Sequence, residues 1–212
     1  MLTQWPDQPK PVKLFVILCL VLELCALAGA LAGLGSQIRN ALVGLGGFWP
    51  GVLKGASPLF AAQPVTMFGT ATFLHGGPMH LFMNMVGMLW LGPMVLERVG
   101  TAAFWPVAGL SALGAGGVFV LLSDTSAPMV GASGVLFGFL GVVAAWQVLD
   151  AQARGESLRP LLPPTLAFLA LNIALTLLSP ASIAWQAHLG GFLGGALCGC
   201  LTWKSPRPRP WR

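Results

Sequence analysis

The chain has 212 residues, 56% of them hydrophobic and only 8% charged, against roughly 25% charged in a soluble domain. A mean hydropathy of +0.80 excludes a water-soluble globule, because too little polar surface is available to face solvent. The net charge of +5 does not mark a nucleic-acid binder, since the basic residues gather toward the two ends instead of forming a patch.

Stretches of about 20 apolar residues, enough to cross a ~30 Å hydrocarbon core, predict six helices in one all-α domain over 14–203. A short segment, 1–13, precedes the first span at 14–34. Lys10 and Lys13 before that span are also how a secretory signal starts, but its length and the lack of a small-x-small cleavage site before Ser36 favour a span. Residues 35–77 break the pattern: Gly46, Gly47, Pro50, Gly51, Pro58, Pro64, Gly76 and Gly77 interrupt every long helix in a stretch that stays apolar. This first outer loop is expected half in the outer leaflet as short interfacial helices, with Phe48 and Trp49 at headgroup level.

Further spans are predicted at 78–97, 101–122, 131–149, 161–178 and 183–203, separated by charged or Pro-containing punctuation. Lys10, Lys13, Arg98, Arg154, Arg159, Lys204, Arg207, Arg209 and Arg212 fall on one side, and only Arg39 and Lys54 on the other. That bias puts both termini in the cytoplasm, with the chain in the plasma (inner) membrane and 204–212 as a basic tail drawn to lipid. Cys19, Cys25, Cys198 and Cys200 lie in apolar runs without ligand spacing, so they read as packing residues and no metal is expected.

Polar side chains in hydrocarbon cost several kcal/mol unless paired, which makes each one a functional candidate. His80 and Asn84 lie in the outward half of the second span, Ser133 at the outer start of the fourth, and His188 near the outer start of the sixth. All four share one depth. His80 and Asn84 are i and i+4, so they project from one helix face, as two donors aimed at one oxygen must. Ser133 stands in Gly131-Ala132-Ser133-Gly134, where the glycines allow a sharp entry into the helix and the helix start offers free backbone N–H groups. His188 is followed by Gly190, Gly191, Gly194 and Gly195, a small-residue stripe that matches Gly134, Gly138 and Gly141. Such stripes let two membrane helices approach closely, bringing Ser133 and His188 within hydrogen-bond reach, the arrangement of an activated hydroxyl. The bland alternative is a structural pair whose members only satisfy each other. Asp124 and Asp150 belong to the two membrane faces and Glu23 to mid-span, so a Ser-His dyad is expected, not a triad. Phe137, one turn after Ser133, is placed to stack on the imidazole or simply to pack in the core. Glu23 and His75 receive no role, although Glu23 is expected to hydrogen-bond a neighbouring helix in protonated form.

Together these residues resemble the rhomboid protease family, over about residues 66–200. The resemblance is carried by His75, His80 and Asn84 entering the second span, Gly131-Ala132-Ser133-Gly134 opening the fourth, and Ala187-His188 with Gly191 and Gly195 in the sixth. It implies a six-span rhomboid bundle in which Ser133 is the nucleophile and His188 the general base. By the same resemblance His80, Asn84 and the Ser133 backbone N–H form the oxyanion hole. Substrates are implied to be single-span membrane proteins cut near the outer end of their transmembrane segments, among membrane lipids, with no metal or organic cofactor. Two positions depart from the family. Thr66 and Met67 stand where a Trp-Arg pair is common, which bears on the anchoring of the outer loop, and Phe137 replaces a Tyr of many bacterial members, keeping the ring.

Two rival functions start from the same residues. One is a catalytically silent rhomboid-like protein that binds membrane clients; such relatives usually lack the Ser or the His. The other is a transporter, against which the polar residues cluster on one side, with only Glu23, Asn172 and Thr176 continuing inward.

Overall fold

The computed structural model describes residues 7–163, 166, 170 and 184–204. Helix α1 (Lys10–Gly29) carries Pro11 in its first turn, where a missing N–H forfeits no hydrogen bond, and continues through a π-helical turn at Ala30–Leu34. Residues 35–77, the expected outer loop, fold as α2 (Gln37–Gly46), α3 (Pro50–Leu53), α4 (Gln63–Thr70) and a 3-10 turn at Ala71–Phe73. Helices α5 (Pro78–Val99), α6 (Thr101–Leu122), α7 (Ser133–Ala153) and α8 (Trp185–Thr202) follow. Among the described residues the regular structure is helical, apart from one isolated backbone bridge between Phe48 and Met129.

Among the described residues, four segments are long and apolar enough to cross a membrane: Lys10–Leu34, α5, α6 and α7. Helix α8, with 18 residues, is about 27 Å long at 1.5 Å per residue and occupies the sixth predicted span. The fifth predicted span at 161–178, with Asn172 and Thr176, lies almost entirely outside the described residues, as does the tail beyond Lys204. Leu31, Val65, Leu121 and Leu201 are 72% to 81% exposed. An outer surface of this kind suits lipid and not water, and the protein is a multi-pass membrane protein.

Phe15, Met88, Phe104, Phe139 and Val142 fill the core between α1, α5, α6 and α7. Helix α8 is wedged between α6 and α7. Gly191 and Gly195 lie against the backbone of Gly134 and Gly138 on α7, and Gly190 against Gly114 on α6, where any Cβ would overlap main-chain atoms. This contact of backbone on backbone is what small-residue stripes permit. At the other end of the bundle Arg98 donates two hydrogen bonds of 2.9 Å to Asp150 and lies over the Trp146 ring. The Trp203 indole N–H also donates to Asp150, tying α5, α7 and the end of α8.

Phe48 is fully buried within the protein: it inserts over Gly116 of α6 and meets Phe68 and Phe119 edge-on, while Trp49 donates its indole N–H to the Val43 carbonyl. Two expectations are corrected here. Glu23 does have a partner on a neighbouring helix, but that partner is a cation: the Arg39 guanidinium of α2 reaches both of its carboxyl oxygens at 2.7 and 2.8 Å. Only Cys19 and Cys198 pack inside; Cys25 and Cys200 are exposed on the outer helix faces. At the positions of the missing Trp-Arg pair, Thr66 caps back onto the Ala62 carbonyl and Met67 is fully buried, so packing anchors the loop there.

Candidate active site

Helices α5, α7 and α8 all point their N-terminal ends the same way, which places His80, Asn84, Ser133 and His188 within the first two turns of their helices. The Ser133 Oγ lies 2.9 Å from His188 Nε2. The Phe137 ring is stacked on the imidazole, 4.0 Å between centroids and 11° from parallel. His188 is 7% exposed, so its ring is held in one place by protein and not by solvent. The carboxylates considered for it are elsewhere: Glu23 pairs with Arg39, Asp150 with Arg98, and Asp124 is exposed.

Ser133 is the first residue of α7, so its N–H has no acceptor within the helix and remains available to a ligand. The turn into the helix is made by Gly131 at φ +126°, a conformation that strains any residue with a Cβ. Its N–H is pinned to the Ala71 carbonyl at 2.9 Å, and the preceding Met129 exchanges two backbone hydrogen bonds with Phe48. The outer loop thus grips the segment that delivers Ser133.

His80 packs over Gly131, with its Nε2 2.8 Å from where a Cβ there would sit. The Gly76 N–H donates to His80 Nδ1 at 3.3 Å. A neutral ring that accepts at Nδ1 carries its proton on Nε2, so His80 presents a donor toward the Ser133 segment. Asn84 is buried and donates from Nδ2 to the His80 carbonyl at 2.8 Å; that acceptor fixes the orientation of the amide, leaves one N–H to give, and leaves Oδ1 buried without a partner. His75 lies edge-on to His80 with ring centroids 5.2 Å apart. Burial, and next the nearby His80, lower the pKa of His75 to about 4. The structure therefore brings together Ser133, His188, Phe137 and the Gly131 turn, with His80 against that turn and Asn84 bonded to His80. Gly134, Gly191 and Gly195 supply the helix contact beneath them. Sequence reasoning missed Arg39 and Gly76, which lie behind His80; a signal for Arg39 existed, because a mid-span carboxylate demands a partner and Arg39 is one of the two cations of the outer loop.

A sequence profile described as Rhomboid domain matches residues 62–205. Rhomboid-like protease 3 of Toxoplasma gondii is 32% identical over 151 residues, covering 70% of this chain and 57% of that protein. RHOMBOID-like protein 1 of Arabidopsis thaliana is 31% identical over 131 residues, or 61% of this chain and 32% of its own length. RHOMBOID-like protein 5 of the same plant is 29% identical over 142 residues, 64% of this chain and 43% of the relative. The chain thus spans less than two thirds of the length of these relatives. The profile covers α4, the Ser133–His188 pair and both helices that carry it, and on that extent of agreement the chain belongs to the rhomboid family.

Proposed function

We propose that the protein is an intramembrane serine endopeptidase that hydrolyses a peptide bond near the outer end of a transmembrane segment in other, single-span membrane proteins. The observation that carries this reading is the 2.9 Å contact of Ser133 Oγ with His188 Nε2 beneath a stacked Phe137. His188 takes the hydroxyl proton as Oγ attacks the substrate carbonyl, then returns it to the departing amine. The acyl-enzyme is cleared by water with His188 again as base. The Ser133 N–H, His80 Nε2–H and Asn84 are the donors to the developing oxyanion, and the N-terminal end of α7 adds its positive dipole. Because hydrolysis needs water, these groups line a wet cavity that opens outward. A substrate helix must unwind to expose its carbonyl, so helix-weakening residues near the cut favour cleavage.

In this reading the bundle has six spans in the plasma membrane, with residues 161–178 as the fifth, and both termini are cytoplasmic. The basic residues at the Arg98–Asp150 end of the bundle support that orientation. The deciding experiment is cleavage of a tagged single-span substrate in liposomes by wild type and Ser133→Ala, with fluorophosphonate labelling of Ser133 alongside. Cleavage and labelling that both vanish in Ser133→Ala are expected. Absence of label on the folded wild type, or equal labelling of His188→Ala, favours a silent client-binding relative.

A further inference from the structure

A single peptide group links an ion pair in the outer loop to His80. Its carbonyl belongs to His75 and accepts from Arg39 Nη1 at 2.6 Å. Its N–H belongs to Gly76 and donates to His80 Nδ1. Arg39 in turn is held by both oxygens of Glu23, at 2.7 and 2.8 Å, and Glu23 is 5% exposed on α1. Charge-assisted hydrogen bonds of this length are strong and directional. A cation on the carbonyl side of a peptide polarises it and strengthens its N–H as a donor, because bonds in a chain reinforce one another. The chain Glu23, Arg39, His75–Gly76 peptide, His80 is continuous, and it ends on the ring nitrogen whose occupancy decides where the other proton of that ring sits.

We propose that Glu23 and Arg39 are positioning residues for the reaction: through the His75–Gly76 peptide they hold His80 in the tautomer with hydrogen on Nε2, facing the Ser133 turn. Without Arg39 the peptide is free to rotate, Nδ1 loses its fixed donor, and the tautomer with an unprotonated Nε2 becomes accessible. That tautomer turns an acceptor toward a developing negative charge. Ground-state binding of substrate does not use this contact, so the loss falls on turnover. The inference rests on the proteolytic reading for its kinetic consequence, but not for its structural one.

The test combines kinetics with nitrogen NMR of the histidine rings in the full-length protein in detergent. Arg39→Gln is expected to lower kcat about tenfold with KM changed less than twofold, Arg39→Lys to restore most of that loss, and Glu23→Gln to fall between. The His80 signals of wild type should show a protonated Nε2 and a bare Nδ1, and those of Arg39→Gln a mixture of tautomers. Gly76→Pro, which deletes the donor N–H, should turn over more slowly than Gly76→Ala, which keeps it; this comparison carries the test if Arg39→Gln does not fold. Turnover in Arg39→Gln within twofold of wild type, or an unchanged His80 tautomer, overturns the relay while leaving the dyad intact. A wild type that neither cleaves substrate nor labels at Ser133 overturns the proteolytic reading instead, and the tautomer comparison then decides the relay alone.

Discussion

The imidazole of His188 lies flat on the ring of Phe137, 4.0 Å away and 11° from parallel, with Ser133 at its edge. Stacking of this kind is worth about 1 kcal/mol beyond burial, and in the proposed reaction it keeps the ring aligned with the hydroxyl, the part a carboxylate plays in a Ser-His-Asp triad. Phe137→Leu should therefore lower kcat roughly fivefold, the rate equivalent of about 1 kcal/mol, with KM little changed. Phe137→Tyr, which keeps the face of the ring, should stay within about twofold. Steady-state cleavage of a single-span substrate checks both.

Asn84 gives one amide proton to the His80 carbonyl and keeps another. If that second proton meets the oxyanion, Asn84→Ala should cost on the order of 3 kcal/mol of transition-state stabilisation, or ~100-fold in kcat. The rate of Ser133 phosphonylation by a fluorophosphonate should fall in parallel, because the phosphonyl oxygen occupies the same place. An Asn84→Ala enzyme of normal kcat would assign the residue to helix structure alone.

Much of this site was legible in the sequence for reasons that are local. The i, i+4 spacings of Ser133–Phe137 and His80–Asn84 fix common helix faces, and two matching glycine stripes call for close approach, which pairs α7 with α8. The positions that escaped are those decided by packing between distant segments. That Phe48 inserts into the protein is not visible in its own segment, because the space that takes it is left by Gly116 on α6, 68 residues away. Glu23 and Arg39 are 16 residues apart, across the π-helical turn and the start of α2, a separation that no helical periodicity connects. The His75–Gly76 peptide carries its role on backbone atoms, which residue types do not reveal.

The glycine contacts are themselves testable. A methyl group at Gly195 would overlap the Gly138 backbone, whereas one at Gly117 of α6 meets nothing within 4 Å. Gly195→Ala should cost at least 1–3 kcal/mol through overpacking and lose activity as α8 is pushed from α7. Gly117→Ala should be neutral or slightly stabilising, since Ala is the better helix former by about 1 kcal/mol. Thermal unfolding in detergent, followed together with cleavage, separates the two, and equal effects would contradict the close approach of α7 and α8.

His75 supplies a pH dependence of stability that can be assigned to one side chain. Its ring is 3% exposed, neither nitrogen makes a well-formed hydrogen bond, and burial lowers its pKa from 6.5 to about 4. The Phe73 backbone and Glu23 favour the charged form but only partly offset that burial, and His80 and Arg39 oppose it. Between these two values the unfolded chain binds a proton that the folded protein refuses, so stability is complete above about pH 6.5 and declines as pH falls toward about 4. A shift of this size corresponds to about 3 kcal/mol at most. His75→Phe, which fills similar space without titrating, should flatten that part of the profile. Chemical unfolding of the two proteins from pH 7 to pH 4 measures it: the wild type should lose stability relative to His75→Phe across that window. Parallel curves would mean that the His75 ring takes up its proton at the same pH in the folded and unfolded chain.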